Sequence, residues 1–217
     1  MSKKWKSKIC MKDKNINLLP YYLDNCIEAG CDEAGRGCLA GAVFAAAVIL
    51  PYDFDCPELN DSKKLTEKQR KSLRYTIENG AIAWAVAQIE AEEIDDINIL
   101  KASIKAMHSA LDKLQTVPAH IIVDGNKFVN YKDIPHKTII KGDGKYLSIA
   151  AASVLAKTHR DEYMSYLHLQ YPQYQWNINK GYPTKKHREA IKEYGISPFH
   201  RRSFRLLEKQ INIDFNS

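Results

Sequence analysis

No apolar run in this chain approaches the roughly 20 residues that a bilayer-spanning helix needs. The lysines at its start are not followed by an apolar segment of the secretory kind. The composition therefore predicts neither a membrane protein nor an exported one, but a cytoplasmic location. Cysteine is sparse and poorly placed for cross-linking. Cys10, Cys26, Cys31, Cys38 and Cys56 are odd in number and include no CxxC pair. That spacing argues against a disulfide framework and against a structural zinc site, and predicts reduced thiols. Internal repeats and low-complexity linkers are missing as well. At 217 residues the chain is long enough to bury a full core and falls in the size range of one domain.

What is present begins with charge. The formal balance is +6, but its distribution says more. Lys3, Lys4, Lys6, Lys8, Lys12 and Lys14 crowd the start against Asp13 alone, and residues 1–25 are expected to form a mobile basic tail. A second basic zone runs through Lys180, Lys185, Lys186, Arg188, Lys192, Arg201, Arg202 and Arg205. Between them lie Glu90, Glu92, Glu93, Asp95 and Asp96. Basic zones interleaved with Trp5, Trp176, Tyr182, Phe199 and Phe204 suit a polyanion, with rings available to sugars or bases. A solubilising surface is the plain alternative.

The most informative stretch is Asp32-Glu33-Ala34-Gly35-Arg36, closed by Gly37 and followed by the apolar residues 42–50. Two adjacent carboxylates sit where the surroundings predict a buried strand. Charges are rarely buried unless they are paired or hold a metal. Successive strand side chains point to opposite faces. Asp32 and Glu33 are therefore expected to share a site only where the strand ends or bulges, with Gly35 and Gly37 supplying the backbone freedom. A surface turn of Asp, Glu, Gly and Arg is the competing reading.

The rest alternates between α and β. Strands are predicted over residues 28–33, 42–50, 81–89, 120–123 and 137–141. Helices are predicted over 66–79, 94–114, 146–169 and 184–194. The first of these opens on a Thr66 N-cap with Gln69 three residues on and stops at Gly80. The second carries Ile97, Leu100, Ile104, Met107 and Leu111 at helical spacing. The third holds Ala150, Ala151, Ala152 and Ala156, small enough for close packing on a sheet. The fold class expected is α/β: a mixed sheet with helices on both faces, over residues 26–217, with a C-terminal helical region from about 184.

That layout puts Asp32 and Glu33 after the first strand, Asp124 after the fourth and Asp143 after the fifth. Ligands bind beyond the carboxyl ends of strands in open α/β sheets. Four unpaired carboxylates in one pocket would repel, and one or two hard divalent cations, Mg²⁺ or Mn²⁺, would relieve them. Each acid also has a plain reading. Asp124 could form the Asp-Gly-Asn turn, and Asp143 could cap the following helix. Ser153 and His159, six apart in one helix, lie on different sides of it and make a poor nucleophilic pair.

The motifs, in order, are Asp32-Glu33-Ala34-Gly35-Arg36-Gly37, Asn60-Asp61-Ser62-Lys63-Lys64-Leu65, Val123-Asp124-Gly125-Asn126 and Lys141-Gly142-Asp143. They continue with Ser148-Ile149-Ala150-Ala151-Ala152-Ser153 through Ala156-Lys157, and with Gly181-Tyr182-Pro183-Thr184 and His187. In this combination the chain resembles ribonuclease HII, the bacterial type 2 ribonuclease H, over residues 30–204. Cys38 and Ala42 stand where that family commonly carries prolines. Related type 3 enzymes carry an additional N-terminal domain, for which the residues before Gly30 are too few.

The resemblance implies a ribonuclease H-like fold, a five-stranded mixed sheet flanked by helices. It implies an endonuclease that cuts the RNA strand of RNA–DNA hybrids and incises 5′ of single ribonucleotides in duplex DNA, leaving 5′-phosphate and 3′-hydroxyl ends. Asp32, Glu33, Asp124 and Asp143 would be its catalytic, metal-binding acids, with two Mg²⁺ or Mn²⁺ ions in the catalytic state. Gly35, Arg36 and Gly37 would read the ribose 2′-hydroxyl, the group that separates RNA from DNA. Tyr182 would stack on the following deoxyribose, although its ring could instead simply pack over Pro183. Lys63 and Lys64 would hold a phosphate. A monomer without membrane contact is expected. The rivals are another metal-dependent nuclease or integrase of the same superfold, and a non-catalytic nucleic-acid-binding module whose acids merely cap strands and helices.

Overall fold

The computed structural model of the protein describes residues 18–60, 62 and 65–207. Five strands form a single mixed sheet: β1 (Glu28–Ala34), β2 (Val43–Ile49), β3 (Ala83–Ile89), β4 (His120–Asp124) and β5 (His136–Ile139). Their spatial order is β3-β2-β1-β4-β5. The first three pair antiparallel, as a chain joined by short connections allows, while β4 joins β1 and β5 joins β4 in parallel. The mixed sheet expected from the sequence is thus observed.

β2 is apolar throughout because both its faces are covered. One face of the sheet packs on α2 (Ala91–Ile97) and α3 (Ile99–Asp112) through Val43, Ala45, Ala47, Ile94, Ala106, Met107 and Leu111. The other packs on α1 (Glu67–Gly80) and α4 (Leu147–Gln170) through Ala46, Val48, Leu73, Ile77 and the alanines 150–152 and 156. α4 comes so close to β1 that a Cβ on Gly30 would stand 2.3 Å from the backbone carbon of Ser148. Only glycine fits there. The capping box at Thr66 and Gln69 is formed as expected.

Three local expectations change. The helix predicted over 94–114 is two helices, because Asn98 takes φ 68° and ψ 160° and its side chain accepts from Leu100 and Lys101 N–H. Apolar periodicity runs straight across such a break and cannot reveal it. A short helix, α5 (Trp176–Asn179), precedes α6 (Lys185–Tyr194). The last eight residues of the expected tail, 18–25, lie on the body: Leu18 is buried, and Leu19 exchanges backbone hydrogen bonds with Lys145 and Leu147. Residues 1–17 lie outside the described part.

Beyond the sheet, Leu39, Met164, Leu167, Tyr174, Trp176 and Ile191 form a separate apolar cluster that seats α5, α6 and the residues after them on the far end of α4. Trp176 and Arg201, read from the sequence as part of a polyanion-facing zone, are fully buried in this region. Asp95 of the acidic patch also has a structural task. It accepts from the backbone N–H groups of Arg202 and Ser203.

Candidate active site

β1 shows no bulge. Its pairing with β2 stays in register through Ala34, opposite Phe44, whereas its pairing with β4 stops at Cys31, opposite Val123. Asp32 and Glu33 therefore lie where one neighbouring strand has ended and the other continues. They share a site through that freed edge rather than through a distorted strand, although they point to opposite faces. Asp124 ends β4 at the same level. A cavity of about 260 Å³ opens there, lined by Asp32, Glu33, Asp124, the segment 34–37, Ser62, Ser153, Lys157 and Tyr182.

Asp32 is 5% exposed. Its Oδ1 accepts the Glu33 N–H at 2.7 Å, and the Ser153 hydroxyl bonds the carboxylate from α4. Burial first, then Glu33 and Asp124, push its pKa well above the ordinary carboxylate range. Glu33 is also raised, chiefly by burial, against the pull of Arg36, whose Nη1 donates to Oε1 at 3.0 Å. Asp124 Oδ1 accepts the Gly142 N–H at 2.6 Å, which ties the end of β4 to the 3-10 turn Gly142–Gly144. Asp143, in that turn, is buried but does not line the cavity. It is not the cap of α4 either, since the N-cap is Tyr146. Nor does Asp124 serve only as a turn former, because its carboxylate reaches outside its own turn.

Gly35 has φ +94°, and a Cβ on it would come within 2.0 Å of Arg160 Nε. Glycine is required there twice over. The Tyr182 ring has the Arg160 guanidinium 6.0 Å from its centroid and Cys38 beside it. It faces the cavity and is 40% exposed. Lys63 and Lys64 lie outside the described residues. His159 bonds Glu78 at 3.1 Å, on a different side of α4 from Ser153. Ser153, Ser62 and Lys157 line the cavity without having been assigned roles from the sequence. The signal was present, since Ser153 and Lys157 are four apart and share a helix face.

The donor set is made of hard carboxylate oxygens, and the raised pKa values mark a shortage of compensating positive charge. Lys157 gives its ammonium to Asp161 at 2.5 Å. That chemistry fits a divalent cation such as Mg²⁺ or Mn²⁺. Among the described residues, however, no three His, Cys, Asp or Glu side chains stand together as ready ligands. Glu33 and Asp124 instead point to Arg36 and to the Gly142 N–H.

Residues 29–207 match the family model described as Ribonuclease HII. The chain belongs to the ribonuclease HII family. It is 65% identical over 199 residues to the ribonuclease HII of Bacteroides thetaiotaomicron, which covers 91% of this chain and all of that one. The ribonuclease HII of Parabacteroides distasonis is 64% identical over 198 residues, with the same coverage. Among solved structures, ribonuclease H2 from Pyrococcus horikoshii superposes with a TM-score of 0.69 at 26% identity, over 82% of this chain and 94% of that chain. The Archaeoglobus fulgidus RNase HII, solved in a complex with PCNA, gives 0.71 at 24% identity over 85% and 98%, and speaks for the fold alone. As a ribonuclease HII with a ribonuclease H-like fold, the chain is a metal-dependent ribonuclease H. Among the described residues no helix is long and apolar enough to cross a membrane.

Proposed function

We propose that this ribonuclease H cuts the RNA strand of RNA–DNA hybrids and incises 5′ of single ribonucleotides in duplex DNA, leaving 5′-phosphate and 3′-hydroxyl ends. The observation that carries the reading is one cavity lined both by the acids Asp32, Glu33 and Asp124 and by the glycine-rich segment 35–37 with Tyr182.

Asp32 is the most buried of the three carboxylates that line the cavity and has both neighbours within its field, so it would be the natural common ligand of two ions. Glu33 and Asp124 would join by exchanging Arg36 and the Gly142 N–H for a cation, and Asp143 would be the fourth acid, from the turn behind Asp124. The chemistry that two Mg²⁺ or Mn²⁺ ions supply is activation of water near neutral pH and neutralisation of charge on the attacking and leaving oxygens. Gly35, Arg36 and Gly37 present backbone to the ribose 2′-hydroxyl with little side-chain obstruction. Tyr182 would lie against the next sugar, where deoxyribose fits and a further hydroxyl does not. Lys63 and Lys64 would take a phosphate. The protein acts as a cytoplasmic monomer in this reading.

The test is incubation with duplex DNA carrying one ribonucleotide, with and without divalent metal, followed by mapping of the cut. A metal-dependent nick immediately 5′ of the ribonucleotide is expected. Cutting that persists when the ribonucleotide is replaced by deoxyribonucleotide would reject the assignment.

A further inference from the structure

His200 and Arg201 are adjacent and almost wholly buried, yet their hydrogen bonds lead to two different segments that line the cavity, 35–37 and Tyr182. Arg201 donates Nη1 to the Arg36 carbonyl at 3.0 Å, and Nε and Nη2 to the Gly41 carbonyl at 3.0 and 2.8 Å. Its own N–H donates to the Leu39 carbonyl, and the Gly41 N–H donates to that of Phe199. Among the described residues no carboxylate pairs with this guanidinium. A buried charge met by carbonyls and by the Phe204 ring, whose centroid is 5.2 Å away, is a costly way to fill space. Its planar fork, however, fixes both ends of the loop that starts with the glycine-rich segment.

His200 turns the other way. Its Nδ1 accepts the Ser197 N–H at 2.9 Å, which leaves the Nε2–H to donate to His187 Nε2 at 3.2 Å. That same His187 nitrogen accepts the Trp176 indole N–H at 3.0 Å. His187 therefore carries its proton on Nδ1 and donates it to the Tyr182 carbonyl at 2.9 Å. The hydrogen bonds run without a break from Ser197 to the backbone of Tyr182.

We propose that His200 and Arg201 form a positioning brace that sets the distance between the glycine-rich segment and Tyr182, so that selectivity for the RNA-to-DNA junction depends on two residues that touch no substrate. The inference rests on the roles given above to Gly35, Arg36, Gly37 and Tyr182.

The test compares Arg201→Lys, His200→Ala, His200→Gln and Tyr182→Ala, each in the full chain. For each, kcat and KM are measured on duplex DNA with one ribonucleotide and on continuous RNA–DNA hybrid. The ratio of the two kcat/KM values is unaffected by the fraction of enzyme that is folded, so partial unfolding cannot imitate the effect. Lysine at 201 keeps the charge but cannot span two carbonyls. Glutamine at 200 keeps a donor and an acceptor. Arg201→Lys and His200→Ala should each lower the ratio about tenfold, inside the roughly hundredfold that a misplacement near 1 Å can cost. His200→Gln should recover most of it. Proportional losses on both substrates would show a merely structural role and overturn the brace. A ratio lowered by Tyr182→Ala but untouched by the other variants would overturn the brace alone. A ratio that Tyr182→Ala leaves unchanged would overturn the underlying reading together with the brace.

Discussion

Asp32 is the residue on which chemistry and stability pull in opposite directions. Its pKa is raised from an ordinary value of 3.8 by burial and by two carboxylate neighbours. Between that value and the raised one, the folded protein keeps a proton that the unfolded chain has lost. Stability without metal therefore falls as pH rises through the window. Asp32→Asn should abolish cleavage yet stabilise the metal-free protein at neutral pH. Even a tenfold relief of the ionisation penalty is about 1.4 kcal/mol, or about 3–6 °C in Tm for a chain of this length. Divalent metal should raise the Tm of the wild type by mass action and move that of Asp32→Asn much less. A variant less stable than wild type in thermal melts with chelator would contradict the electrostatics. Asp124→Asn should likewise end turnover while hybrid binding stays measurable, since its shape is kept; normal turnover at saturating Mg²⁺ would remove Asp124 from the ligand set. That Asp32, Glu33 and Asp124 lie at neighbouring strand ends was legible from the sequence. Their present hydrogen-bond partners were not, because Arg36 is nearby in sequence but Gly142 meets Asp124 only through the β4–β5 pairing.

At the scale of elements, the packing of α4 on β1 places Ser153 against Asp32. Gly30 is the point of closest approach, with Ser148 and Ile149 backbone atoms within 2.6 Å of where a Cβ would be. Backbone cannot move aside as a side chain can. Gly30→Ala should therefore cost about 1–3 kcal/mol as overpacking and lower activity as Ser153 shifts; denaturant melts and kcat on one preparation check both. An unchanged midpoint would mean that α4 has room to retreat. Most elements could be read from spacing and caps, as at Thr66 and Gln69. The break at Asn98 could not, since one strained residue interrupts the chain without disturbing its apolar period. The same limit hid where the pairing of β1 with β4 stops, which depends on the register between strands distant in sequence.

Over the whole molecule, residues 185–207 bond the glycine-rich loop and the Tyr182 backbone through His187, His200 and Arg201, and the two histidines make that packing sensitive to acid. Burial and His187 hold the pKa of His200 down to about 3, and burial lowers His187 as well. Below the ordinary value of 6.5, the unfolded chain takes up protons that these imidazoles refuse. For His200 stability is therefore lost as pH falls from 6.5 toward 3, by up to about 1.4 kcal/mol per pH unit, and the lowered His187 adds a loss of the same sign. Thermal melts from pH 7 to 5 should show a shallower decline for His200→Gln than for wild type; parallel curves would place the acid sensitivity elsewhere. Charge acts at longer range. Lys185 and Lys186 are exposed at the start of α6, just beyond Tyr182. Replacing both with Gln should weaken hybrid binding and reduce the slope of log affinity against log salt by about 1–2. An unchanged slope in binding titrations would place the phosphates elsewhere. The sequence by itself determined the family and the mixed sheet, because motif order, apolar periodicity and caps are local properties of the chain. Only the tertiary structure decided that Asp32 and Glu33 share a cavity without a bulge, and that Arg201 is an internal clamp rather than a surface cation. Those outcomes depend on where a strand partner stops and which carbonyls surround a buried fork, and both are contacts between residues far apart along the chain.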